Sequence, residues 1–287
     1  MQDLLQPILN ALLLGGLYGV IAIGLSTIVG IVKVINFAHG DLMVLSSYMS
    51  LVLVLWLGAN PFLTFFAVIP VMYLLGYFIQ GYLINRVLGK DLEPPLIVTF
   101  GLSIILQNLF LLIFTPDART LTTGLNIKKI SLADHLYIPA NYLFDFLVGI
   151  GVIACLYFFF QKTYLGRAIR AASDDDSAAQ LMGVNTKRIY AHAMGISMMT
   201  AAVAGILVGM TFTFYPHTGS QFMFVAFGVA IIGGMGSMKG TLAAGIILAM
   251  GQLVGTHFFG PGYQIFVGHI LLLIVLLVRP EGIFGRL

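Results

Sequence analysis

Residues 161–190 read QKTYLGRAIRAASDDDSAAQLMGVNTKRIY, and eight of these side chains are formally charged: Lys162, Arg167, Arg170, Asp174, Asp175, Asp176, Lys187 and Arg188. In a 287-residue chain that is 59% hydrophobic and only 9% charged, such density marks a place where the polypeptide meets water. Charge-free runs flank it, 146–161 before and 189–238 after, and the same emptiness recurs at 4–32, 42–85, 94–116 and 240–278. A helix needs about 20 mostly apolar residues to cross the hydrocarbon of a bilayer. With a mean hydropathy of +1.01, these intervals describe an integral membrane protein. Three runs are long enough for two crossings, and each carries turn chemistry near its middle: GANP at 58–61, YPHTGSQ at 215–221 and FFGPGYQ at 258–264. The expected fold is all-α and polytopic, with about nine transmembrane helices (range eight to ten), one or two of them discontinuous. A single transmembrane domain is expected over 1–287, with 161–190 as its water-facing loop.

Lys and Arg set the expected orientation. If 161–190 is cytoplasmic, alternation places Lys33, Arg86, Lys90, Lys162, Arg167, Arg170, Lys187, Arg188, Lys239, Arg279 and Arg286 on that side, leaving Arg119, Lys128 and Lys129 outside. The N-terminus is then outside and the C-terminus cytoplasmic; one miscounted span near Ile31–Asp41 would move the N-terminus alone. The start, MQDLLQPILN, lacks a basic n-region and a small-residue cleavage site, so the first helix reads as a retained span.

Within the loop, Arg167 and Arg170 share one face of a helix, and Arg170 stands four residues before Asp174. From Ser173 the sequence reads as a new helix start: a Ser cap, three acids in the first turn, an apolar stripe of Ala178, Leu181 and Met182, and Gly183 as the stop. A short helix of this kind can seat in the groove of a partner protein; resting on the lipid headgroups is the alternative.

A second polar stretch, VKVINFAHGDLMVLSSYMS at 32–50, sets Asn36, His39, Gly40 and Asp41 between two apolar runs. Ionisable groups at membrane depth are expensive and face cavities or partners, and broken helices line substrate paths in transporters. A tight interfacial loop with Lys33 snorkelling is the other reading. Thr99, Ser103 and Gln107 follow at four-residue intervals on one helix face, as packing contacts or path lining. Residues 222–240, FMFVAFGVAIIGGMGSMKG, include Gly233, Gly234 and Gly236, which imply close packing or a second discontinuous helix. The segment 116–140 contains several β-formers.

No HExxH, GxSxG or Cys-His cluster occurs, and GGMGSMKG is not a P-loop, since no GxxxxGK[ST] is present. No catalytic or metal-binding residue is assigned and no directly bound cofactor is expected. ATP hydrolysis, if it drives this protein, belongs to another chain.

LSTIVGIVKVINFAHGDLMVL, RAIRAASDDDSAAQLMGVN, FGVAIIGGMGSMKGTLAAG and the terminal RPEGIFG, in this order and spacing, resemble the permease of bacterial branched-chain amino acid ABC importers, the LivH type. The run Asp174–Asp176 departs from the family's one or two acids, with Asp174 the natural match by position. The resemblance implies a bacterial inner-membrane permease in a heterodimer with a LivM-like second permease. It also implies two cytoplasmic ABC ATPases carrying the ATP, an extracytoplasmic solute-binding protein, and no nucleic-acid partner. Arg167, Arg170, Asp174, Ala178, Gly183 and Asn185 would then belong to the ATPase-coupling segment, with Asn36, His39, Asp41, Thr99, Ser103 and Gln107 on the translocation pathway. Gly233, Gly234 and Gly236 would serve packing or gating. Close relatives carry urea or short amides, which is the alternative substrate class; an intramembrane enzyme and an ion channel are the readings from other classes.

Overall fold

The computed structural model describes residues 2–89, 93–125, 128–133 and 136–285; Lys90 and Arg286, two cations of the orientation argument, lie outside the described residues. In chain order the elements are α1 (Gln2–Val32), α2 (His39–Leu57), α3 (Pro61–Phe78), a π-helical turn (Ile79–Ile84), α4 (Asn85–Val87) and α5 (Glu93–Phe114). A hairpin of β1 (Lys129–Ala133) and β2 (Leu136–Pro139) follows, then α6 (Ala140–Lys162), α7 (Tyr164–Asp174), α8 (Asp176–Leu181), α9 (Thr186–Thr211), α10 (Thr218–Gly233), α11 (Met238–Phe259) and α12 (Gln264–Val278). Eight helical stretches among the described residues are long and apolar enough to cross a membrane. The ninth, α10, has 16 residues. At 1.5 Å per residue it spans roughly 24 Å, short of a ~30 Å hydrocarbon core.

Helix α1 is the axis of the bundle, and its glycines explain why. A side chain at Gly15 would meet the backbone of Ile246 in α11, and one at Gly16 the backbone of Phe146 in α6. Such close approach gives helices in lipid a packing energy that apolar burial alone does not supply there. The β-formers of 116–140 become the antiparallel hairpin, with Ile130 opposite Ile138. Gln6 of α1 bonds both backbone groups of Tyr137, at 2.8 and 3.0 Å, so the hairpin lies at the N-terminal end of α1. At the opposite end, Ser173 Oγ donates to Gly30 O at 2.8 Å, which places the 161–190 loop beside the C-terminal end of α1.

Two helices are broken, and the breaks mirror each other. After α1 ends at Val32, six residues (33–38) turn back along it, until His39 Nε2 lies 3.2 Å from Ile21 O. Helix α2 therefore begins beside the middle of α1 and runs toward the hairpin end, where Tyr48 stacks on Phe114 at 4.2 Å. After α9 ends at Thr211, six residues (212–217) again turn back, pinned by reciprocal 2.8 Å backbone bonds between Phe214 and Arg119. Helix α10 begins beside the first turn of α2 and runs the other way, toward the loop end, where Ile283 N donates to Ile232 O at 2.8 Å. The N-terminal ends of α2 and α10 thus meet inside the bundle, Gly40 against the Gly219 carbonyl and Gly219 against Asp41. This is the inverted arrangement of discontinuous helices expected where a path crosses mid-bilayer.

The sequence places one discontinuity correctly at 32–50 and offers Gly228–Gly240 for a second. The second break instead lies at 212–217. Gly234 and Gly236, with φ of 86° and 85°, form the turn joining α10 to α11, a backbone conformation that L side chains avoid. A side chain at Gly233 would meet the backbone of Gly240 at 2.6 Å, so that glycine lets α10 and α11 touch.

The loop also differs from expectation at Ser173, which sits in the last turn of α7 rather than capping a helix. Its hydroxyl goes to Gly30 O, one of the free carbonyls at the end of α1. The cap falls to Asp175, whose carboxylate accepts from Ala178 N at 2.9 Å and carries the charge that a helix N-terminus favours. The 161–190 loop therefore holds two helices, α7 and α8, with a bend between them. Gly183 (φ 83°) closes α8, and Asn185 caps α9 through Arg188 N at 3.1 Å.

Candidate functional site

The meeting point of α2 and α10 carries the densest polar network of the bundle interior. Asp41, third residue of α2, is 1% exposed. Ser103 Oγ of α5 donates to Asp41 Oδ2 at 2.5 Å, and Gln107 Nε2 lies 3.3 Å from the same oxygen. Gln107 Nε2 also reaches Ser103 Oγ at 3.2 Å and Ser220 Oγ, third residue of α10, at 3.1 Å. Gln107 Oε1 is 3.2 Å from His217 Nδ1. Asp41 Oδ1 has no hydrogen-bond partner among the described residues and lies against Gly219. A carboxylate here is costly, and the positive end of α2 offsets part of that cost.

Asn36, His39 and Thr99 do a different job. Asn36 Oδ1 accepts from Ala38 N at 3.0 Å and Thr99 Oγ1 accepts from Phe37 N at 3.3 Å, which together hold the returning strand in register for the start of α2. His39 anchors that start to α1 at Ile21 O. Asn36 Nδ2 and His39 Nδ1 are buried without partners among the described residues. Thus Asp41, Ser103 and Gln107 come together, whereas Asn36, His39 and Thr99 shape the break beside them.

The network opens on the bundle surface. Gln107 and Ser220 are half-buried, and His217 and Gln221 are exposed. Beside them Phe37 and Phe100 are exposed and meet edge to face with centroids 6.3 Å apart. Exposed amide and imidazole groups at this depth do not belong against lipid tails; they belong against water in a path or against another subunit. His217 and Ser220 are missing from the sequence-derived set, because YPHTGSQ contains no charge and reads as a turn between spans. The signal available was its likeness to 37–41: a helix start carrying Gly and a small polar residue in succession, Gly40–Asp41 and Gly219–Ser220.

At the loop end, Ala178 is exposed, Leu181 is 89% exposed and Met182 85%, so the expected apolar stripe projects from the molecule uncovered. Arg167, Arg170 and Asp174 are exposed around it. The Arg170–Asp174 pair suggested by spacing does not form; the only ion pair among the described residues is Arg119–Asp117 at 3.5 Å. Acid following base is the weaker order for an i, i+4 pair, and water screens both partners.

A multi-pass α-helical bundle, broken twice at one buried polar centre and carrying an uncovered apolar tip at one end, defines a membrane transport subunit. The chain belongs to the family described as "Branched-chain amino acid transport system / permease component", whose model matches residues 7–277. It is 33% identical to the high-affinity branched-chain amino acid transport system permease protein BraD of Pseudomonas aeruginosa, over 98% of this chain and 96% of that protein. It is 31% identical to LivH of Escherichia coli K12, described in the same words, with the same coverage. Among solved structures, PsaBC from Streptococcus pneumoniae in complex with Fab aligns with a TM-score of 0.52 and 15% identity, covering 95% of this chain and 91% of that one. That likeness concerns the fold alone.

Proposed function

We propose that this permease moves leucine, isoleucine, valine or similar small apolar amino acids into the cytoplasm, with the path running past the Asp41–Ser103–Gln107–Ser220 centre. The observation that carries the reading is the half-open polar network where two broken helices meet, with a buried carboxylate at its inner end. Its exposed members need a wet path or a facing protein, and a second LivM-like permease laid against α5 and the start of α10 supplies both. The ATP resides on two cytoplasmic ATPases, whose grooves take Ala178, Leu181 and Met182 at the tip of α8. The rim charges Arg167, Arg170 and Asp174 steer that docking, and Gly183 and Asn185 fix the exit from it. An extracytoplasmic binding protein delivers solute at the hairpin end. This puts 161–190 and the C-terminus in the cytoplasm and the N-terminus outside, as the distribution of Lys and Arg favours. Alternating access follows from rocking the two permeases about the shared centre.

The test is reconstitution of the chain with the permease, ATPases and binding protein encoded beside it, followed by ATP-driven uptake of leucine and urea side by side. Leucine uptake that is lost in Asp41→Ala, with assembly intact, is the expected result. Uptake of urea but not leucine overturns the substrate, and unchanged leucine uptake in Asp41→Ala removes the centre from the path. Leu181→Asp tests the motor contact separately: ATPase subunits are expected to co-purify poorly while the exposed position leaves the permease folded.

A further inference from the structure

At the loop end, away from both the polar centre and the tip of α8, a cleft of about 480 Å³ separates the end of α3 from the start of α9. One wall is Tyr77, Gly81, Asn85 and Arg86; the other is Asn185, Lys187, Arg188 and Ala191. The cleft is built rather than accidental. The π-helical turn Ile79–Ile84 widens the chain at this point. Gln80 Nε2 donates to Asn85 Oδ1 at 3.0 Å, and Asn85 Nδ2 donates to Lys187 O at 3.0 Å, tying the walls together at a fixed separation. A side chain at Gly81 would meet nothing within 4 Å, so the first wall leaves open space beside it. Arg86, Lys187 and Arg188 are exposed and make no ion pair among the described residues.

We propose that this cleft binds the phosphodiester headgroup of an anionic membrane phospholipid. Three cations line one concave site at the boundary of two membrane-crossing stretches, Pro61–Val87 and Thr186–Thr211. Basic clefts at this depth suit phosphate headgroups. The rim supplies the other half of a lipid site. Tyr82 is 60% exposed and stacked on Phe78 with centroids 5.9 Å apart, giving an aromatic face on which acyl chains can lie while the headgroup enters the cleft. On the proposed function, the partner-protein surface at this end is the projecting Leu181–Met182 tip of α8, which leaves the separate cleft between α3 and α9 to lipid. Because the bound lipid would bridge α3 and α9, it would brace the root of the 161–190 loop.

The experiment is native mass spectrometry of the whole importer complex in mild detergent, titrated with phosphatidylglycerol and, separately, phosphatidylcholine. Wild type is expected to retain phosphatidylglycerol in preference to phosphatidylcholine. Each charge removed by R86Q, K187Q or R188Q is expected to weaken retention about fivefold, and R86K/R188K to keep it. Competition by inorganic phosphate or glycerol phosphate at low millimolar concentration would assign the site to a free phosphate and overturn the lipid. So would equal binding of the two lipids by wild type, which needs no variant to fold. Loss of the ATPase subunits in the triple variant R86Q/K187Q/R188Q, with phosphatidylglycerol retention unchanged, would make the cleft a protein contact instead.

Discussion

The two broken helices solve one geometric problem with different chemistry. Each break uses six residues to return into the bundle, and each helix then begins with Gly and a small polar residue at its second and third positions, Gly40–Asp41 in α2 and Gly219–Ser220 in α10. The two helix starts share a backbone geometry, with Ala38 at φ −77° and His217 at φ −92°, each with ψ of 0°, and their side chains differ. Asp41 brings a carboxylate held by Ser103 and Gln107, whereas Ser220 brings a neutral hydroxyl that meets, among the described residues, only Gln107. The loop-side return is fastened by Asn36 and Thr99, and the hairpin-side return by backbone pairing with Arg119. Shared backbone therefore positions the crossing, and the unshared side chains give it a sign and a direction.

The largest expected effect comes from bulk at the crossing itself. A side chain at Gly40 would strike the Gly219 carbonyl and, at 2.9 Å, its carbon; one at Gly219 would strike the Asp41 carboxylate and, at 2.8 Å, its Cα. Backbone cannot step aside as a flexible side chain can, so Gly40→Val and Gly219→Val are each expected to cost about 3 kcal/mol or more. Both are expected to abolish uptake and to reduce folded protein by size-exclusion chromatography. Full uptake in either one would mean that the two helix ends are not locked together. Asp41→Ala comes next. It leaves the buried Ser103 hydroxyl without its acceptor, at roughly 1–3 kcal/mol, while Gln107 keeps Ser103 and Ser220, and a tenfold or greater fall in transport rate is expected. Ser220→Ala removes a single neutral hydrogen bond worth about 1 kcal/mol, so uptake is expected to fall by fivefold at most. Equal losses in the two variants would contradict the assignment of the charge to one side of the crossing.

Legibility in the sequence follows the same divide. Asn36, His39 and Asp41 stand out because polar and ionisable groups in an apolar run cost too much at membrane depth to be incidental. The face shared by Thr99, Ser103 and Gln107 follows from helical periodicity alone. Which neighbour that face meets depends on α5 lying against α2, a tertiary fact with no local signature. The second break is hidden because Tyr215–Gln221 carries no charge, and a turn between two spans has the same composition as a strand returning into the bundle. Glycine is ambiguous for a related reason. Gly233 and Gly234 are neighbours in sequence, yet one lets two helices touch and the other permits a positive φ. Ser173 misleads because a Ser before three acids is a good cap locally, while the free carbonyl of α1 that claims its hydroxyl is 143 residues away.

The smallest predicted effects lie at the fastenings of the two returns, and there the comparison is sharpest. Asn36 Oδ1 holds Ala38 N at 3.0 Å, and Thr218 Oγ1 holds Tyr215 N at 2.9 Å. Each resembles a cap, and removing a cap costs about 1 kcal/mol. Thr218→Val is expected to show that full cost as a lowered thermal midpoint. Asn36→Ala is expected to cost less, because it removes at the same stroke a buried Nδ2 that has no partner among the described residues, and burying an unpaired amide is itself unfavourable. If Asn36→Ala proves the more damaging of the two in the isolated permease, Nδ2 has a partner within the subunit. If it is mild there but severe for uptake in the assembled importer, Nδ2 faces the second permease or the passing solute. In that case the loop-side break is the one that touches cargo, and the hairpin-side break only supports it.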